Sequence, residues 1–285
     1  MIAVVVPTIR PEKMKVFMDA WFNLFWKHKV FLFQVNDGKD PYIYSESGKK
    51  WRLDDLGKIS DLIYNFNDGV RNFAFAIIAR YYPEIDIIIS LDDDVKPVGD
   101  PIQDHLDALK RRVPVSWLST ASEYTRGFPY GIRDEAEVVL SHGVWEGVAD
   151  WDASTQLVKG NQPVEFYKGS IPKGCLFPLC AMNFAFKRKL LPYIYQAPMF
   201  GDLNRFADIW GGIEAKKDID RLGWAAVTGY STVKHDRASN VFNNLVKEAK
   251  GIKLNENYGL DDYFELFFNK RKRWIEWIKK HSGKN

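Results

Sequence analysis

Over the first hundred positions, apolar residues fall into two patterns: unbroken runs and stripes at helical spacing. Ile2–Val6 is an unbroken run, as a strand buried on both faces requires. Pro7 is expected to end it. Pro11 suits the first turn of a helix, and Phe17, Ala20, Trp21, Leu24 and Phe25 give that helix one apolar stripe. Val30–Val35 reads as a second strand, closed by the turn signal Asn36-Asp37-Gly38. Ile59, Leu62, Ile63 and Phe66 predict another helix. Asn67 and Asp68 are candidates to cap the next one, which carries Phe73, Ala76, Ile77 and Arg80 before Pro83. Ile85–Leu91 is a third, strongly apolar strand. Strand–helix alternation of this kind predicts an α/β fold, a mostly parallel central sheet with helices on both faces.

Residues 112–200 are rich in Gly, Pro and aromatic residues with few clean periods, and read as site-building loops and short strands. Near the C-terminus, Leu260, Phe264, Phe267, Phe268, Trp274, Ile275 and Ile278 form a helical stripe interrupted by Arg271. No repeat, low-complexity tract or linker divides the sequence. The expected organisation is one main domain over 1–255 with a helical extension over 256–285 packed on it.

Charge narrows the partners. The chain of 285 residues carries 40 basic and 37 acidic side chains, a net charge of +3, too near neutral for nucleic acid to be the main partner. Cys175 and Cys180 build no disulfide framework or zinc pattern and read as small buried thiols of a reducing compartment. The first apolar run lacks preceding basic residues and reads as a strand rather than a signal peptide. No apolar segment approaches the roughly 20 residues that cross a bilayer, so the expected location is the cytoplasm. The basic stretch from Lys270 to Lys280 admits two readings. It either docks on an acidic partner or membrane surface or is a solvated helix face packed through its tryptophans. Homo-oligomerisation stays open.

The candidate chemistry sits where the strands end. Open parallel sheets bind ligands outside the carboxyl ends of their strands. Three polar clusters fall there: Thr8-Ile9-Arg10, Asn36-Asp37-Gly38 and Asp92-Asp93-Asp94. Three adjacent carboxylates are mutually repulsive without a cation. In extended chain Asp92 and Asp94 share a face while Asp93 points elsewhere, so Asp92 and Asp94 are candidate ligands of a hard divalent cation that also binds phosphate oxygens. His235 is a third candidate ligand; an imidazole beside carboxylates favours Mn2+ over Mg2+, which stays possible. The Gly-rich dinucleotide and P-loop fingerprints are both missing, leaving phosphate to the metal and to basic residues. The nucleotide is expected against Pro7, Thr8, Arg10, Asp37, Arg71, Asp93 and Lys173. For Arg10 and Arg71 a surface ion pair is as good an explanation, and Lys173 is equally well a solvated turn residue. Asp37 suits a uracil or ribose contact, although an Asn-Asp-Gly turn needs no ligand. Asp208 is a candidate base or helix cap. His142 stays a weak candidate, and Trp145, Trp151 and Trp210 read as core or as sugar-stacking faces.

Longer motifs follow in order: Arg126-Gly-Phe-Pro-Tyr-Gly-Ile-Arg133, Ser141-His-Gly-Val-Trp145, Asp150-Trp-Asp-Ala-Ser-Thr-Gln-Leu157, Ile171-Pro-Lys-Gly-Cys-Leu-Phe-Pro178 and Met182-Asn-Phe-Ala-Phe186. With Val6-Pro-Thr-Ile-Arg10, the acidic triplet, Asp208-Ile-Trp210 and His235-Asp-Arg-Ala-Ser-Asn240, this series resembles the reversibly glycosylated polypeptides, the UDP-arabinopyranose mutase family. The resemblance implies a GT-A-like fold, a UDP-sugar ligand, usually Mn2+, and interconversion of UDP-arabinopyranose with UDP-arabinofuranose. It also implies reversible self-glycosylation on Arg126, with Arg133 and Asp208 as further catalytic candidates. Arg126 either forms an obligatory covalent intermediate or is glycosylated in a side reaction. One family carboxylate is missing, since Ala207 precedes Asp208. The rival expectations are a metal-dependent transferase acting on an external acceptor and a non-enzymatic self-glycosylated carrier.

Overall fold

Alternate residues of the first strand face two different cores: Ala3 and Val5 pack into one, Val4 and Val6 into the other. An unbroken apolar run is the only pattern that satisfies both faces. The computed structural model describes residues 1–45, 48–117, 125–147, 149–160, 162, 164–235 and 240–283. Its first half comprises β1 (Ile2–Thr8), α1 (Pro11–His28), β2 (Val30–Asn36), β3 (Tyr42–Ser45), β4 (Lys50–Arg52), α2 (Arg71–Tyr81), β5 (Ile87–Leu91) and β6 (Val95–Pro97). Then come α3 (Pro101–Leu109), β7 (Arg112–Val113), β8 (Ala136–Trp145), α4 (Ala153–Lys159), β9 (Gly169–Ser170) and β10 (Asn183–Lys187). The chain continues through α5 (Ala207–Arg221), β11 (Ala225–His235), α6 (Val241–Asn255) and α7 (Asp262–His281).

The sheet runs β4-β3-β2-β1-β5-β10-β8-β11-β6, with β7 and β9 paired to β8 and β11. β1 pairs in parallel with β2 and β5, and β8 pairs in parallel with β11. β10 is antiparallel to both β5 and β8, so β1, β2, β5, β8 and β11 all point the same way and their carboxyl ends share one rim. α1 and α3 cover one face through Phe17, Trp21 and Ile102. α2, α5 and α7 cover the other through Phe73, Trp210 and Trp274. This is the mostly parallel α/β sheet, helix-covered on both sides, that the sequence predicts.

Several local expectations are corrected. β1 continues through Pro7, which lies opposite Val35 of β2. Pairing with β5 has ended at Val5, so the missing N–H of Pro7 falls where the ladder is one-sided. The helix expected around Ile59–Phe66 is a 3-10 stretch, Leu53–Leu62. Phe66 instead has a left-handed backbone (φ 59°) and an exposed ring. The loop-rich centre contains β8, which is ten residues long and central; burial on both faces, with Ser141, His142 and Gly143 inside it, hides any period. Leu260 is exposed and precedes α7. Arg271, which interrupts the apolar stripe of α7, is buried, ion-paired with Asp218 and donates to the Tyr193 carbonyl (3.2 Å). Among the described residues no helix is long and apolar enough to cross a membrane.

Candidate functional site

The shared rim opens into a cavity of about 880 Å³. β1 delivers Pro7, Thr8 and Arg10 to it, β2 delivers Asp37, and β5 delivers Asp92 and Asp93. Arg71, at the start of α2, and Asp208, in the first turn of α5, close the wall above the sheet. With Trp151, nine of the site candidates named from sequence thus line one space. Arg205, and Lys247 and Glu248 of α6, which sequence reasoning did not single out, also line it, as does Asp68, named from sequence only as a helix-cap candidate and paired here with Arg71 (2.6 Å).

The acidic triplet divides its work. Asp93 is buried; it accepts from Thr8 Oγ1 (2.6 Å) and is ion-paired with Arg10. Arg10 also reaches Asp94 (3.4 Å). Asp92 is ion-paired with Arg71, which is itself buried and donates through Nε to Ser90 Oγ (2.9 Å) and through Nη1 to Asp68 (2.6 Å). Both arginines expected at phosphate are therefore already matched by carboxylates. Asp92 keeps 30% of its side chain accessible yet lies deep in the protein mass. That burial drives it up to about 6 against the Arg71 charge, with Asp68 and Asp94 adding to the rise. Burial also raises Asp94, but His235 and Arg10 outweigh it and hold the carboxylate below its usual value.

His235, the last residue of β11, sets Nε2 3.4 Å from Asp94 Oδ1. Its Nδ1 is buried without a hydrogen-bond partner among the described residues. Carboxylate and imidazole together are a donor set that fits Mn2+. Among the described residues no three His, Cys, Asp or Glu side chains converge tightly enough to cage an ion, so the protein contributes the Asp94–His235 pair with Asp92 turned toward Arg71. Residues 236–239 of the motif that begins at His235 lie outside the described residues.

Asp37 is driven up to about 6 by burial, against the Phe66 N–H (2.7 Å) that it accepts and against the Arg71 charge. Asp208 is 8% exposed; Oδ2 accepts from Ala181 N and Oδ1 from Ile209 N, each at 2.9 Å. Burial, reinforced by the Asp68 charge, raises its carboxyl well above the usual range, which favours the neutral acid. Close packing fixes its helix. A Cβ on Gly211 would sit 2.5 Å from the Tyr195 carbonyl oxygen, and one on Gly212 2.4 Å from the Leu179 nitrogen. Ala207, the residue before Asp208, is fully buried.

Arg126, Arg133, Lys173 and His142, like Asp94 and His235, are not among the residues lining the cavity. Arg126 is exposed on a turn. Arg133 donates to the Phe128 carbonyl (2.9 Å) and stacks on Tyr130 (3.7 Å), bracing that turn. Lys173 is exposed, its backbone N–H bonded to the Val115 carbonyl (2.8 Å). His142 is half-buried: its place in the protein interior takes it down to about 4, and its Nε2 accepts from Cys180 N (3.4 Å). Trp210 and Trp145 are core residues, whereas Trp151 lines the cavity.

Comparison with known proteins shows what the chain is similar to. The family model described as "Reversibly glycosylated polypeptide" matches residues 1–268. UDP-arabinopyranose mutase 3 of Arabidopsis thaliana is 30% identical over 279 residues, covering 87% of this chain and 74% of that protein. The probable UDP-arabinopyranose mutase 4 of Arabidopsis thaliana is 31% identical, covering 89% of this chain and 75% of that protein. UDP-arabinopyranose mutase 1 of Oryza sativa subsp. japonica is 29% identical, with coverages of 87% and 73%. Among solved structures, the catalytic domain of Drosophila β1,4-galactosyltransferase 7 in complex with xylobiose aligns with a TM-score of 0.40 and 12% identity, over 85% of this chain and 72% of that one. The chain belongs to the reversibly glycosylated polypeptide family.

Proposed function

We propose that the chain is a metal-dependent UDP-sugar mutase interconverting UDP-L-arabinopyranose and UDP-L-arabinofuranose. The names of its relatives support the substrate. The observation that carries the reaction class is the buried, proton-holding Asp208 in the same cavity as the strand-end acids. Contraction of the ring breaks the C1–O5 bond, forms C1–O4 and moves one proton from O4 to O5. The C1–phosphate bond must also break and re-form, because a saturated C1 cannot exchange its ring oxygen. Once the diphosphate has left, O5 holds C1 as an oxocarbenium. O4 then closes on C1 as the C1–O5 bond opens, Asp208 giving its proton to O5 and taking the one from O4, and the diphosphate returns to C1.

Asp94 and His235, with Asp92 beside them, would hold the cation, Mn2+ in preference to Mg2+; bound there it would neutralise the diphosphate. Arg10, held by Asp93, orders the β1 end of the rim, and Arg71 fixes Asp92 and Asp68. UDP-sugar binding is expected to disappear on chelation, return with Mn2+, and be weakened by Asp94→Asn and His235→Ala. Equal affinity before and after chelation would sink the metal assignment.

A transferase acting on an external acceptor is the second reading. It is favoured by the reach of the cavity to Lys247, Glu248 and Asn255 of α6, beyond the strand-end rim.

Self-glycosylation of Arg126 fits a side reaction, since its turn is exposed and outside the cavity lining. A guanidinium is also protonated at ordinary pH and is a poor nucleophile. Arg126→Ala should lose labelled-sugar attachment while turning over near the wild-type rate. Loss of both activities with UDP binding intact would instead make Arg126 an obligatory intermediate.

A further inference from the structure

Phe66 is an aromatic residue held where an aromatic residue is costly. Its backbone is left-handed (φ 59°), a conformation that disfavours a bulky side chain by roughly 1–2 kcal/mol. Its ring is 55% exposed and lines the cavity. The segment is pinned: Phe66 N donates to Asp37 Oδ1 (2.7 Å), and Asn65 Nδ2 donates to the Gly38 carbonyl (2.7 Å). Asn67 Nδ2 donates to the Asn65 carbonyl (2.6 Å), and Asn67 Oδ1 accepts from Gly69 N (2.8 Å). Four hydrogen bonds thus hold an apolar ring open at the cavity mouth, over the end of β2.

We propose that Phe66 is the stacking platform for the pyrimidine base of a nucleoside diphosphate, with Asp37 beside it accepting from the base edge or the ribose. This rests on the UDP-sugar reading and deepens it. Position decides between base and sugar. Along the rim, β2 with Asp37 comes first, then β1 with Thr8 and Arg10, then β5 with the acidic triplet. β2 lies two strands from β5, and at about 4.8 Å per strand this is roughly 10 Å. That is the reach of a ribose and the first phosphate, so a diphosphate at the triplet sets the base, rather than the sugar, over Phe66. The sugar extends the other way, toward Asp208.

The test is calorimetric titration, with Mn2+ present, of UDP and of inorganic pyrophosphate into wild type, Phe66→Ala, Phe66→Gly and Phe66→Trp. Stacking on one aromatic ring is worth enough that Ala and Gly should weaken UDP roughly 10- to 100-fold. Pyrophosphate affinity should stay at the wild-type level, and Trp should retain UDP affinity. Phe66→Gly should also melt no lower than wild type, because glycine accepts the left-handed backbone, which excludes a collapsed loop as the cause. UDP affinity unchanged in Phe66→Ala, or UDP and pyrophosphate falling together, would overturn the platform alone. A wild-type protein that binds UDP no better than pyrophosphate would overturn the UDP-sugar reading itself.

Discussion

Asp208→Asn should lower the rate of pyranose–furanose interconversion by roughly 10²–10⁴-fold, the contribution of a placed general acid–base group, while UDP affinity stays near the wild-type value. The amide can still accept from Ala181 N, so the first turn of α5 keeps its anchor, but it cannot surrender and recover a proton. Labelled-sugar attachment to the protein should survive, because it needs only the C1–phosphate bond to break. The pH behaviour follows from the same group. Burial raises the native carboxyl well above its usual value, so over that interval the native state holds a proton that the unfolded chain has released. Stability therefore falls as pH rises through the interval, and the Asn variant should lack that part of the slope. Turnover in the direction that begins with the neutral acid should fall as pH rises through the same raised pKa. Asp208→Asn with full ring contraction, measured by separating the nucleotide sugars, would remove Asp208 from the chemistry.

Trp274→Ala carries the largest expected cost in stability, about 3–5 kcal/mol, a large share of what a domain has in total. The indole is completely buried in α7, against Tyr195 and within the core that also contains α2 and α5. No nearby element can collapse into the space without dislodging α5, whose glycines already touch backbone at Tyr195 and Leu179. Leu266→Ala, on the partly exposed side of the same helix, is the control, expected to fall within about 0.5 kcal/mol of wild type. Urea denaturation measures both. A Trp274→Ala protein unfolding in two steps, the main transition unshifted, would mean that α7 is a detachable appendage rather than part of the core.

What could be read from sequence follows from how far each signal travels along the chain. β1, β2 and β5 are buried on both faces and announce themselves as unbroken apolar runs, and their polar ends stand next to them. Thr8, Arg10, Asp37, Asp92 and Asp93 were therefore legible as one rim. Asp68, Phe66, Arg205 and Lys247 were not, because they reach the cavity by tertiary packing from a 3-10 turn, a loop and a helix. For Phe66 the apolar spacing pointed the wrong way: with Ile59, Leu62 and Ile63 it mimics a helical stripe, yet only the first three are buried. For Arg10 and Arg71 the sequence left phosphate contact and an ion pair equally open, because their pairing with Asp93 and Asp92 depends on segments distant in the chain being brought together. The long motifs around Arg126 and Arg133 mark the family without revealing that their turn stands outside the cavity.

The measurement closest to the central claim is incubation of the protein with UDP-arabinopyranose and Mn2+, followed by chromatography of the nucleotide sugars. The account predicts a UDP-furanose product that approaches equilibrium from either side, with no free sugar and no need for an acceptor. Free UDP appearing only when an acceptor is added, or label retained on the protein with no new nucleotide sugar, would contradict it.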